Sequence, residues 1–235
     1  MANTPPESKN SRLIIAIDGP AGAGKSTVAS QLASRLRIPY LDTGAMYRAV
    51  GLLAMQDGLE PPFDEGASTR VLELMERHRI EVEAADRGTK IIVDGHDVGE
   101  EIRSPECSLM ASAVSALAEV RKALVPLQRE LGMREGGVME GRDIGTVVFP
   151  DAGLKVFLTA SVDERARRRL GDLHERDVNT SLEEVREQQL QRDLQDTSRA
   201  ESPLQVARGS VVVDTTGLTL DQVVERLLEE VARIR

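Results

Sequence analysis

A chain of 235 residues is long enough for one large domain, or for a domain carrying a substantial insertion, and 40% apolar with 29% charged residues reads as soluble and globular. The net charge of −9 works against a sequence-independent nucleic-acid binder, and five aromatics (Tyr40, Tyr47, Phe63, Phe149, Phe157) are too few for a stacking platform on single strands, so no nucleic-acid partner is expected. The longest aliphatic run, Leu13 to Ile17, falls far short of the ~20 residues a membrane span needs. A lone cysteine, Cys107, cannot form an internal disulfide, which fits a cytoplasmic protein with no membrane partner.

In chain order, residues 1–12 are polar, contain Pro5-Pro6 and lack periodicity, and are read as a flexible tail. Leu13 to Ile17 is a continuous aliphatic strand; glycine-rich sequence follows; then Val28, Leu32 and Leu36 recur every fourth residue along a helix. Further short strands are expected at Tyr40 to Thr43, Val138 to Glu140, Lys155 to Ala160 and Val211 to Asp214, with helical patterns between them. Apolar strands alternating with helices predict an α/β fold with a parallel sheet covered on both faces. Between Ile80 and Val98 the pattern changes to alternation around Asp86-Arg87-Gly88, and Asp94-Gly95 leads to a third short strand, which predicts an inserted hairpin. Ser161 to Glu164 and Ser181 to Glu184 fit capping boxes that open two late helices. On the second of these, Leu182, Val185, Leu190 and Leu194 are expected in the core.

The glycine-rich segment is Gly19-Pro20-Ala21-Gly22-Ala23-Gly24-Lys25-Ser26, followed by Thr27. It matches the phosphate-binding loop in every fixed position and in its strand-to-helix setting. Its glycines let backbone N–H groups turn onto phosphate oxygens, Lys25 reaches the terminal phosphates, and the Ser26 hydroxyl is suited to ligate Mg²⁺. Asp18, at the strand end, reads as a loop-shaping residue rather than a metal ligand. The loop implies a nucleoside triphosphate but not what is done with it. A GTPase would add Asp-x-x-Gly after a nearby strand and a base-reading Asn-Lys-x-Asp; Asp214-Thr215-Thr216-Gly217 fits the first only at the far end of the chain, and the second does not occur.

Asp42-Thr43-Gly44-Ala45-Met46-Tyr47-Arg48 follows the second strand, where open α/β sheets hold their ligands. Thr43 or Gly44 can cap the next helix, and Arg48, a turn in, can hold an anion on an acceptor. Glu140-Gly141-Arg142-Asp143 exposes opposite charges at a strand end: a carboxylate that accepts from an exocyclic amino group beside a guanidinium that holds phosphate or a ring carbonyl. Arg192, Asp196 and Arg199 share one helix face, and Arg165, Arg167, Arg168 and Arg169 repel one another on the preceding helix unless an anion sits among them.

Four motifs then stand in a familiar order: residues 19–27, residues 42–48, Gly-Arg-Asp-Ile-Gly-Thr-Val-Val-Phe-Pro-Asp-Ala at 141–152, and Arg-Asp-x-x-Asp-x-x-Arg at 192–199. Through them the chain resembles the bacterial cytidylate kinase family, a group of nucleoside monophosphate kinases with a phosphate-binding loop, over nearly its whole length after the tail. The resemblance implies a P-loop core with a parallel five-stranded sheet over residues 13–62 and 100–235, a short helical lid near residues 163–180, and an inserted monophosphate-binding lobe at 63–99. It implies transfer of the γ-phosphoryl group of ATP to CMP or dCMP with Mg²⁺, by a monomer. By the same resemblance Lys25, Arg142 and Arg192 are catalytic; residues 19–27 and a lid arginine, for which Arg168 stands among the four candidates, bind ATP. Thr43, Arg48, Ser112, Arg121, Arg142, Asp143, Asp196 and Arg199 bind CMP. The base falls to Ser112, Arg121 and Asp143, the acceptor phosphate to Arg48 and Arg142, and the sugar to Asp196. Ser112 and Ser115 compete for the serine role, and the spacing to Arg121 picks the first. A kinase acting on UMP or another small acceptor, and a nucleotide-gated interaction protein, are the alternatives.

Overall fold

The computed structural model describes residues 12–85 and 88–234. Residues 1–11 of the expected tail, and Asp86 and Arg87 of the expected turn, lie outside them. In chain order the elements are β1 (Ile14–Asp18), α1 (Lys25–Leu36), β2 (Tyr40–Asp42), α2 (Thr43–Gln56), α3 (Ala67–Arg77), β3 (Ile80–Ala85), β4 (Gly88–Val93) and β5 (His96–Asp97). A 3₁₀ turn at Glu101–Arg103 leads to α4 (Pro105–Val114), α5 (Ala118–Glu135) and β6 (Gly137–Gly141). The chain ends with a wide turn at Ile144–Val148, then β7 (Leu154–Thr159), α6 (Val162–His174), α7 (Leu182–Ser198), β8 (Val211–Asp214) and α8 (Leu220–Ile234).

One sheet runs β5-β4-β3-β2-β6-β1-β7-β8. Its five strands β2, β6, β1, β7 and β8 are parallel, so their carboxyl ends, and the loops leaving them, gather along one edge. The hairpin joins this sheet antiparallel through the Tyr40–Ala85 pair, and β5 is the expected third short strand. β1 is aliphatic because it is central, paired to β6 and β7 and covered on both faces.

One face is covered by α1 and α8, whose Val28, Leu32, Val224 and Leu227 pack on Ile15, Ile17 and Val156. Leu32 is fully buried, so Leu32→Ala would cost about 2–5 kcal/mol of stability. The other face takes α5 and the turn after β6, with Val125, Leu131 and Ile144 on Ala16, Leu41 and Met139. A third core lies under the hairpin, where Met46, Val50 and Leu53 of α2 and Met110 and Val114 of α4 meet Ile91 and Val93.

Local chemistry sets the helix starts. Ser161 accepts from the Glu164 N–H, and Ser181 with Glu184 forms a complete capping box. Two expectations are corrected. The cap of α2 is Asp42, which accepts from the Ala45 N–H, so Thr43 is already helical and the strand stops at Asp42. On α7 only Val185 is buried among the four apolar residues; Leu182, Leu190 and Leu194 are exposed, because α7 turns Gln189, Arg192 and Asp196 inward instead.

Candidate active site

The carboxyl edge carries a cavity of about 290 Å³ between the β1–α1 loop, α2, α4, α5 and α7. The loop is shaped by glycines that no other residue replaces. Gly19 has φ 152° and a Cβ there would lie 2.0 Å from the Leu158 carbonyl oxygen; Gly22 has φ 78° and backs directly onto Arg165. Gly24, in the left-handed region, precedes α1 without any side-chain cap, which leaves the first N–H groups of the helix free for an anion. Lys25 Nζ donates to the Pro20 carbonyl at 2.8 Å. Burial, and then the Arg142 charge, lower its pKa to about 7, against the pull of Glu140, Asp196 and Asp18.

Behind the loop, Asp18 accepts from the Ile144 and Gly145 N–H groups at 2.8 and 2.7 Å, the loop-shaping role expected of it, and burial raises its pKa to about 6. Those two bonds pin the turn that presents Arg142 and Asp143. Thr43 donates to the Glu140 carbonyl at 2.7 Å and fixes the start of α2 against β6. Arg48 donates to Asp42 at 2.6 Å while its Nε is buried without a protein partner. Glu140 is buried and accepts from the Tyr40 hydroxyl; burial and Asp42 push its carboxyl up, with Lys25 opposing.

At the far end of the cavity Arg121, on α5, donates to Asp143 and to the Ser115 carbonyl, and its guanidinium lies 5.4 Å from the Tyr47 ring centroid. Both members of the Arg121–Asp143 pair are almost fully buried. Ser112 also lines the cavity, bonded to Gln195 at 3.1 Å, whereas the Ser115 hydroxyl accepts from Arg199 at 2.9 Å. From α7, Asp196 accepts from Arg142 at 2.8 Å and from Arg199. Arg192 is half-buried, with its Nε shielded from solvent and unpartnered; desolvation first and the neighbouring Arg142 second lower its pKa to about 10. The cavity lining thus unites Lys25, Ser26, Thr43, Arg48, Ser112, Arg121, Arg142, Asp143, Arg192, Asp196 and Arg199 from segments far apart in sequence.

The four arginines of α6 separate. Arg167 is exposed on Glu164. Arg165 is buried on Asp193. Arg168 donates to the Thr215 hydroxyl and carbonyl at 3.0 and 2.9 Å, beside a second cavity of about 180 Å³ formed with Ala23, Gly24, Thr27, Val28 and Leu218. Arg169 reaches the main cavity. Sequence reasoning gave no role to Asp42, Tyr47 or Tyr40, although all three stand in or beside the 42–48 motif, and it did not separate Arg169 from its neighbours. The Asp42-to-Arg48 spacing around one helix start was the available signal for the first. The Tyr40–Glu140 contact joins residues from two strands and carries no sequence signal.

No cluster of three or more acidic, His or Cys side chains that could cage a metal occurs among the described residues. Mg²⁺ is commonly held through one or two protein oxygens together with substrate phosphates rather than by a protein cage. The Ser26 hydroxyl and the Glu140 carboxyl both line the main cavity, so oxygen donors of the right kind are present.

A parallel sheet with this loop at its central strand, and arginines converging on one cavity from α2, the turn after β6 and α7, defines a P-loop kinase. The cytidylate kinase family model matches residues 15–233, and the chain belongs to that family and is an enzyme of the kinase class. It is 49% identical over 219 residues to a cytidylate kinase of Carboxydothermus hydrogenoformans, covering 93% of this chain and 97% of that one. A cytidylate kinase of Enterococcus faecalis is 46% identical over 213 residues, covering 91% of this chain and 92% of the relative. No helix of the described residues is long and apolar enough to cross a membrane.

Proposed function

We propose that the protein transfers the γ-phosphoryl group of ATP to CMP or dCMP, giving ADP and CDP or dCDP, with Mg²⁺. The observation that carries this reading is the cavity in which the phosphate loop and the Arg121–Asp143 pair face one another across Arg48, Arg142 and Arg192. Membership of the cytidylate kinase family supports the acceptor.

Residues 19–27 hold the donor phosphates on backbone N–H groups and on Lys25, while the cavity beside Arg168 and Thr215 receives the donor base. Arg48 and Arg142 hold the acceptor phosphate, Asp196 faces the sugar with Arg199 towards the phosphates, and Asp143 accepts from the exocyclic amino group of cytosine, with Arg121 and Ser112 on its acceptor atoms. An acceptor phosphate oxygen is already an anionic nucleophile, so in-line attack needs no general base and depends on positioning and charge. Lys25, Arg142, Arg192 and a lid arginine neutralise the charge that spreads over the transferring group; Arg169 is placed better for this than Arg168 because it lines the same cavity. Ser26, with Glu140 lining the same cavity, would hold Mg²⁺, which would supply further charge neutralisation for the phosphates. Residues 63–99 serve as the monophosphate-binding lobe and residues near 163–180 as the lid. We further propose that the protein acts as a cytoplasmic monomer on small nucleotides.

ADP formation from ATP and Mg²⁺, measured across CMP, dCMP, UMP, AMP, GMP and shikimate, tests the reading. Strong preference for CMP and dCMP is expected, and Lys25→Ala should abolish turnover while circular dichroism stays native. A flat acceptor profile, or ADP without acceptor, returns the nucleotide-gated reading.

A further inference from the structure

Arg165 is 3% exposed and does not face the main cavity, yet it is one of the most committed side chains in the protein. Its Nε donates to the Ala160 carbonyl at 3.1 Å, its Nη1 to the Ala21 carbonyl at 3.1 Å, and its Nη1 and Nη2 form a bidentate pair with Asp193 of α7. Bidentate pairing fixes orientation as well as distance. A single guanidinium thus joins the phosphate loop to the helix that carries Arg192 and Asp196.

The loop end of this contact has a geometric consequence. The Ala21 carbonyl and the Gly22 N–H belong to one planar trans peptide, in which the two groups point in opposite directions. A donor that holds the Ala21 oxygen from behind therefore aims the Gly22 N–H forward, to the side where the loop receives phosphate. The absence of a side chain at Gly22 is what lets Arg165 stand there: a Cβ would lie 3.0 Å from the Arg165 Cβ and 3.1 Å from its carbonyl oxygen. At the other end Asp193 directly follows Arg192 and lies one turn before Asp196, both on the main cavity. Asp193 thereby ties the position of α7 on the main cavity to the group that holds the loop peptide.

We propose that Arg165 and Asp193 are positioning residues that couple the two nucleotide sites, so that an occupied acceptor site sets the Ala21–Gly22 peptide for donor phosphate, and an occupied donor site seats α7 for the acceptor. The proposal rests on the donor and acceptor assignment given above. By linkage the coupling is reciprocal: each nucleotide tightens the other by the same factor, of order 5- to 150-fold where such coupling is measured.

The test is calorimetric titration of CMP into the full chain, with and without saturating β,γ-methylene ATP. In the wild type the analogue tightens CMP. In Asp193→Asn that tightening factor falls about five-fold or more, and Asp193→Glu restores part of it. A bridge that only stabilises the fold would lower the melting temperature of Asp193→Asn and leave the factor unchanged, which overturns the proposal. Should Asp193→Asn fail to fold, hydrogen exchange of the wild type decides: CMP alone should slow exchange across residues 19–26, and unchanged exchange there overturns it. A wild type that phosphorylates CMP but keeps its factor in the variant sinks the coupling alone. A wild type with no CMP turnover sinks the functional reading, and the coupling with it.

Discussion

The Arg142 guanidinium donates through Nε to Asp196 at 2.8 Å, joining the turn after β6 to α7 across the mouth of the cavity. Asp196 also accepts from Arg199, and its side chain is only 4% exposed, so two cations share one buried carboxylate. Burial alone would raise the Asp196 pKa, but Arg142 and Arg199 outweigh it and hold the carboxyl below its usual range. A carboxylate with a depressed folded pKa contributes stability that is complete above the ordinary value of about 4 and fades as the pH falls below it. Asp196→Asn should therefore cost about 3 kcal/mol near pH 7, where a buried pair is broken, and much less near pH 3. Urea midpoints of both proteins at the two pH values test this; a gap of equal size at each would remove the electrostatic account.

Lys25 gives a second pH-dependent expectation. Its pKa is lowered from 10.5 to about 7, so at pH 8 much of the free protein carries it neutral. A triphosphate brought against it favours the ammonium and raises the pKa again, so binding takes up a proton at pH 8 and takes up almost none at pH 6, where Lys25 is already charged. The enthalpy of ADP or ATP-analogue binding at pH 8 should then vary with the ionisation enthalpy of the buffer, by up to about one proton, and Lys25→Met should lose that variation. Buffer-independent enthalpies in the wild type would contradict it.

Asp143 is placed to accept from an amino group that uracil lacks. Asp143→Asn keeps the shape of the side chain and leaves Arg121 a polar partner, but turns one acceptor into a donor. The ratio of kcat/KM for CMP over UMP should fall by roughly ten-fold, about 1.4 kcal/mol. An unchanged ratio would mean that the base is read elsewhere in the cavity.

Tyr40 donates to Glu140, and both are buried. Tyr40→Phe removes the donor and leaves a desolvated carboxylate oxygen unmet, which should cost about 1–3 kcal/mol by denaturant unfolding. A variant as stable as the parent would show that Glu140 does not depend on the tyrosine hydroxyl.

The amino-acid sequence by itself determined the order of strands and helices, the phosphate loop and the charged motifs at 42–48, 140–143 and 192–199, because each rests on local physics: period-2 or aliphatic strands, four-residue helical spacing, capping serines and glycines free to adopt positive φ. Through motif spacing and family resemblance it also singled out Lys25, Ser26, Thr43, Arg48, Ser112, Arg121, Arg142, Asp143, Arg192, Asp196 and Arg199, but not Thr215, the place of Glu140 beside Ser26, or Arg169 in preference to Arg168. It did not determine which charges meet. Asp42 caps α2 and grips Arg48, Asp196 takes two arginines, and Arg165 turns away to Asp193 while Arg169 enters the cavity, although the four arginines of α6 are alike in sequence. Likewise Leu182, Leu190 and Leu194 look like core residues on a helical wheel, yet lie exposed because α7 presents its polar face to the cavity. Hydrophobic periodicity reports that a helix has two faces, but which face is buried depends on what the rest of the chain brings opposite it, and here that is a ring of arginines and carboxylates whose partners come from β2, β6, α5 and α7.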